Sequence, residues 1–209
     1  MCLLAIAWQQ HAEYPLVVCA NRDEFYRRPT QPAHFWNDHP NIFAGRDLEA
    51  GGSWLGINTS GRFAALTNIR KPDRHQDNAR SRGQLVSDFL HTDMAIDDYA
   101  GQLDDLGFLY NGFNLLLCDR NTLMYYSNHG GGAQSLRPGV YALSNAALDT
   151  PWPKTLAAKQ ALQQWLQTPQ PVGQLATLLN NREKAADEDL PSTGIPLENE
   201  RSLSAQFIR

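Results

Sequence analysis

The sequence predicts an α+β fold in which antiparallel sheet carries helices on its faces. Three observations lead there. Hairpins, then helices, then hairpins and helices again follow one another along the chain, so strands come in adjacent pairs. The regular strand–helix alternation that a parallel, doubly wound sheet requires is missing. No glycine-rich phosphate fingerprint follows a strand, which argues against a nucleotide site. At 209 residues the chain suits one core, so a single domain over 1–209 is expected.

The elements follow in order. An apolar run from Cys2 to Gln9 reads as a strand, and Leu16 to Ala20, after a polar turn, completes a hairpin. Asn21-Arg22-Asp23-Glu24 come next, and Pro29 and Pro32 are expected to break any regular element. Ser53–Ile57 and Arg62–Asn68 flank Asn58-Thr59-Ser60-Gly61 as a second hairpin. Polar residues from Lys71 to Ser81 lead into helices near Arg82–His91 and Met94–Leu106. Phe113–Asp119 and Leu123–Ser127 form a third hairpin around Arg120-Asn121. Gly130-Gly131-Gly132 reads as a loop and Val140–Ser144 as a strand. Asp149, with Pro151 just inside, predicts a helix over Pro151–Gln167. Val172–Leu179 is a shorter helix, and the polar tail from Asn180 is expected to be mostly irregular.

Composition removes several function classes. A 42% hydrophobic and 19% charged content is that of an ordinary globular protein. The net charge of −4 argues against nucleic-acid binding, which needs a basic face. A slight positive excess in the first 82 residues leans toward an anionic small molecule. No run approaches the roughly 20 apolar residues of a membrane span, and the short apolar start lacks the basic residue of a secretory signal. A cytoplasmic protein is expected. Cys2, Cys19 and Cys118 are too few for a disulfide framework. No pair of them has metal-ligand spacing and no His-x-x-x-His occurs, so no metal or other cofactor is expected.

The chemistry-bearing candidates start with Cys2. Removal of Met1 would put a thiol and a free α-amine on one residue, and that amine, with a pKa of about 7.7–8.0, is a general base near neutral pH. The competing reading is a small apolar residue opening a buried strand. Cys19 and Cys118, inside apolar runs, read as core. The quartet Asn21–Glu24 would lie near Cys2 if the first two strands pair. Arg22 would then favour the thiolate and Asp23 would hold or orient the amine. The alternative is a charged turn with a structural Arg–Asp pair. Asn68 and Asn145, each ending a strand, can donate to an oxyanion or simply terminate the strand.

These residues resemble a known family. Met1-Cys2-Leu3-Leu4, Ala20-Asn21-Arg22-Asp23-Glu24-Phe25 and Gly51-Gly52-Ser53-Trp54-Leu55-Gly56 look like the family named for its Asn-Arg-Asp-Glu motif. So do Gly61 to Asn68, and Leu143-Ser144-Asn145 running to Pro151-Trp152-Pro153-Lys154. Its animal members are called transport and Golgi organisation protein 2. More distantly it is similar to cysteine N-terminal-nucleophile hydrolases such as penicillin V acylase and bile salt hydrolase. That resemblance implies a four-layer αββα sandwich with antiparallel sheets and cleavage of non-peptide amides. Carried over by motif, Cys2 matches the nucleophile, Arg22 and Asp23 the arginine and aspartate after the second strand, and Asn145 the oxyanion-hole asparagine. Asn21 and Asn68 are expected to touch the substrate. In those hydrolases two residues separate the arginine from the aspartate, whereas Arg22 and Asp23 are adjacent. Members usually continue past a segment like Glu200–Ser204 into a further strand, so one C-terminal strand is expected to be missing. The competing function is a carrier of haem or of a lipid or acyl ligand.

Overall fold

The protein is described by a computed structural model covering residues 2–168 and 171–208. Six strands come first: β1 (Cys2–Trp8), β2 (Leu16–Arg22), β3 (Thr30–Phe35), β4 (Ile42–Asp47), β5 (Leu55–Asn58) and β6 (Phe63–Asn68). Helices α1 (Gly83–His91) and α2 (Ile96–Leu106) follow. Then come β7 (Phe113–Cys118), β8 (Leu123–Ser127), β9 (Gly132–Ser135) and β10 (Gly139–Leu143), and finally α3 (Pro153–Gln167) and α4 (Leu197–Ser202). The named strands pair antiparallel in two sheets, a three-stranded one in the order β10-β1-β2 and a seven-stranded one running from β3 to β9. The predicted α+β class with antiparallel sheets is therefore observed.

The chain divides into two compact units. One comprises Met1–Asp23, Arg70–Asp73 and Arg137–Arg209, and holds the three-stranded sheet with α3 and α4. Here Leu3, Ala5 and Ala7 of β1 alternate toward α3, where Ala158, Leu162 and Trp165 meet them with Val17 and Cys19 of β2. That alternation is the period-2 register of a strand, matched by a helix stripe at spacings of three and four. The intervening residues Leu4, Ile6 and Trp8 are buried as well, so β1 is apolar throughout.

The other unit comprises Glu24–Ile69 and Arg74–Leu136. Its core lies where α1 and α2 cover one face of the long sheet, with Phe89, Leu90, Phe113, Leu115 and Leu117 buried together. The core tyrosines keep their hydroxyls satisfied: Tyr99 donates to the Leu85 carbonyl at 2.8 Å and Tyr126 to that of Leu103 at 2.7 Å. Among the described residues, no helix is long and apolar enough to cross a membrane.

Four expectations need correction. Pro29 and Pro32 do not prevent a strand: β3 contains Pro32, which falls at a register shift between Gln31 and His34 on the sheet edge. An edge bulge is where a residue without an N–H is tolerated. Asp149 does not cap α3. Trp152 does, because a residue before proline is pushed into extended geometry, and Pro153 takes the first helical position. Asp149 instead accepts from the Ala142 N–H and from Lys159 Nζ, both at 2.8 Å. Gly132 opens strand β9 rather than staying in a loop. Val172–Thr177 is 3-10 rather than α-helical. The polar tail is mostly irregular as expected, with α4 and a 3-10 turn at Asp187–Asp189 as its regular elements among the described residues.

Candidate active site

Antiparallel pairing brings three chain segments to one end of the small sheet. β1 is its central strand and begins at Cys2, while β2 and β10 both finish at that end. Cys2 stands directly opposite Arg22 in the β1–β2 ladder. On the other flank the ladder places Leu4 opposite Leu143, and just past β10 the Ser144 hydroxyl donates to the Cys2 carbonyl at 3.0 Å. Asn145, 1% exposed, follows immediately.

Each predicted residue has a definite setting. Burial pushes the Cys2 thiol above its ordinary pKa; the Asp23 carboxylate adds to this, while Arg22 and a hydrogen bond from the Asp23 backbone N–H pull the other way. Burial likewise raises Asp23, against Lys154 and Arg70. The Asn145 side-chain oxygen faces the Ser144 hydroxyl at 3.2 Å, and its carbonyl accepts from the Arg70 N–H at 2.8 Å. Asn21 gives both amide protons to the chain, to Leu179 O at 2.8 Å and Gln206 O at 2.9 Å, so its remaining contact for a ligand is the side-chain oxygen. Asn68 closes β6 opposite Phe113 and belongs to the other unit. Thus Cys2, Arg22, Asp23 and Asn145 share one unit, with Asn21 next to Arg22, and Asn68 does not.

Three charged residues that sequence reasoning passed over complete the cluster. Arg70 Nη1 lies 2.5 Å from the Glu200 carboxylate, and both side chains are buried. The Arg70 guanidinium also sits 5.1 Å from the Trp152 ring centre. Glu200 further accepts from the N–H of Thr193 at 3.0 Å and from its hydroxyl. Lys154, 3% exposed, lies in the first turn of α3. Burial lowers its pKa to about 8, against the pull of Asp23, with Arg70 reinforcing the drop. Thiol, carboxyl, guanidinium and amine are thus each shifted by burial toward their neutral forms. Arg70, Trp152, Lys154 and Glu200 line a crevice of about 10 Å³, room for one water molecule. A separate groove of about 220 Å³ runs along β2, lined by Val18, Cys19, Ala20, Asn21, Leu175 and Leu179.

A signal for Lys154 was available. It shares a helical face with Ala158, Leu162 and Trp165, so a lysine occupies the apolar stripe of α3. Arg70 and Glu200 lie 130 residues apart, and no local pattern links them.

Comparison with known proteins bears on this architecture. The family model for Transport and Golgi organisation 2 matches residues 1–209. The "Transport and Golgi organization 2 homolog" of Mus musculus is 45% identical over 185 residues, covering 81% of this chain and 67% of the relative. The Homo sapiens homolog is 42% identical over the same length and shares. Among solved structures, a Caenorhabditis elegans N-acylethanolamine-hydrolyzing acid amidase ortholog superposes with a TM-score of 0.56 at 13% identity, covering 85% of each chain. At that identity the likeness is one of fold, and the fold is that of the N-terminal-nucleophile hydrolases.

Proposed function

The chain belongs to the Transport and Golgi organisation 2 family, and we propose that it hydrolyses the C–N bond of a small non-peptide amide through Cys2. The observation that carries this reading is the position of Cys2 at the head of the central strand, with Arg22–Asp23 on one flank and Ser144–Asn145 on the other. In the proposed reaction the Cys2 sulfur attacks the amide carbonyl. Once Met1 is removed, the Cys2 α-amine takes the thiol proton and passes it to the leaving nitrogen. Arg22 favours the thiolate, Asp23 orients the amine, and the Asn145 amide donates to the oxyanion.

Intact-mass spectrometry before and after brief exposure to a limiting thiol-reactive acylating probe, with peptide mapping, tests the reading. Loss of Met1 with selective acylation of Cys2, abolished in Cys2→Ala, is the expected result. Retained Met1 with an unreactive Cys2 overturns it.

The groove along β2 favours one alternative, a carrier of haem or of an acyl-type ligand without catalysis. That reading requires ligand binding to persist when Cys2 is blocked.

A further inference from the structure

Ser144 takes no step in the reaction just described, yet it touches both residues that carry it. It directly follows β10, is 2% exposed, and belongs to the same unit as Cys2. Its hydroxyl reaches the Cys2 carbonyl at 3.0 Å and the Asn145 side-chain oxygen at 3.2 Å. A serine hydroxyl has one proton to give, so the two oxygens share a single donor in a three-centre hydrogen bond. Asn145 is also held through its main chain, where its carbonyl accepts from the Arg70 N–H at 2.8 Å. That bond fixes where Asn145 stands but not which way its carboxamide faces, because the terminal torsion of asparagine is broad and roughly two-fold. The hydroxyl meets the amide oxygen, which turns the NH₂ group to the opposite side, where it is available as a donor. A reversed amide would instead present an oxygen to a developing negative charge.

We propose that Ser144 is a positioning residue, whose hydroxyl orients the Asn145 carboxamide and ties it to the main chain of Cys2. The oxyanion donor is thereby held at a set place relative to the nucleophile before substrate arrives. This rests on the hydrolase reading and adds to it the residue that links the two catalytic groups. Ser144 exchanges no proton with the substrate and its own proton stays on oxygen throughout. Its contribution lies in preorganisation: a donor already aimed at the oxyanion needs no rearrangement as the charge forms, and a group displaced by about 1 Å can cost on the order of a hundredfold in rate. A buried amide oxygen that loses this donor also loses the contact that favours one face of the carboxamide over the other.

The test compares two reactions at Cys2 in the intact protein, both read by peptide mapping. Acylation by p-nitrophenyl acetate passes through an oxyanion, whereas alkylation by iodoacetamide displaces iodide at a saturated carbon and forms none. Ser144→Ala should slow acylation about 10- to 100-fold and leave alkylation within about threefold of wild type. Ser144→Thr, which keeps the hydroxyl, should restore most of the acylation rate. On an Asn145→Ala background, Ser144→Ala should cause no further loss, because the hydroxyl acts through Asn145. The proposal is overturned if Ser144→Ala slows both reactions alike or neither, or if its loss adds to that of Asn145→Ala. Should Ser144→Ala fail to fold, NMR of wild type labelled with ¹⁵N-asparagine decides: the Asn145 NH₂ protons must show no strong contact with the Ser144 β-protons, and a strong contact means a reversed amide and overturns the proposal. The hydrolase reading fails separately, in wild type, if Cys2 is alkylated but never acylated; the amide orientation seen by NMR then still tests the role of Ser144.

Discussion

Arg70 and Glu200 form a buried ion pair, 2.5 Å from Nη1 to carboxylate, that ties the segment leaving β6 to helix α4. Breaking it from one side strands a charge away from water. Glu200→Ala should therefore cost about 3–5 kcal/mol, while the double variant Arg70→Met/Glu200→Leu should cost far less, because no charge is left uncompensated. Urea unfolding of the single and the double variant beside wild type checks this; equal losses in the two would contradict it.

Lys154 makes stability depend on alkaline pH in a defined direction. Its amine holds a proton less readily when folded, about 8, than in the unfolded chain, 10.5. Between these values the unfolded chain binds more protons, so the protein gains stability as pH rises through that window; below about 8 the penalty is fully present. The gap corresponds to roughly 3 kcal/mol. Lys154→Met should be more stable than wild type at pH 7, and the difference should shrink toward pH 10.5. Chemical unfolding at pH 7, 8.5 and 10 measures it, and a pH-independent difference would contradict the assignment.

Asn21 acts as a tie between distant backbone segments. Its two donors satisfy the carbonyls of Leu179 and Gln206, so Asn21→Leu leaves two acceptors without their donor and should cost about 2–3 kcal/mol. Hydrogen exchange should quicken in α4, next to the Gln206 anchor, with little change in α1 and α2.

Two neighbouring glycines should respond to alanine for different reasons. A Cβ on Gly52 would fall 2.4 Å from the Gly83 carbonyl carbon and 2.5 Å from its oxygen, at the start of α1. Backbone cannot swing away as a side chain can, and Gly52→Ala should cost about 3 kcal/mol. Gly51 has open space around it but a φ of +79°, so Gly51→Ala should cost about 1 kcal/mol through backbone strain. Thermal unfolding of both variants tests the ranking.

The hairpins were legible because their strands are adjacent in sequence and strongly apolar, so pairing and turn are local facts. The juxtaposition of Cys2 with Arg22 followed from that same locality. β3 was hidden by Pro32, whose missing N–H matters only if the strand is not at an edge, and edges are not written in a strand's own residues. β4 (Ile-Phe-Ala-Gly-Arg-Asp) and β9 (Gly-Ala-Gln-Ser) lack a clear alternation because one or both faces are only partly buried. The start of α3 was misplaced by weighing Asp149 as a cap above the steric effect of Pro153 on Trp152. In the candidate site, what remained unread was whatever arrives late in the chain. Lys154 shows itself only as a lysine on the apolar face of α3, and Glu200 sits in a stretch without periodicity.

The order β10-β1-β2 has a temporal consequence. The first strand made is the last to be enclosed: β1 can pair with β2 as soon as both emerge, but its other edge waits for residues 139–143 and one of its faces for α3. Closing such distant contacts is slow compared with forming hairpins. A growing chain thus carries Cys2 through most of its synthesis without Ser144, whose hydroxyl later donates to the Cys2 carbonyl. The surroundings of Cys2 are in this sense acquired late, once residues 139–165 have followed it.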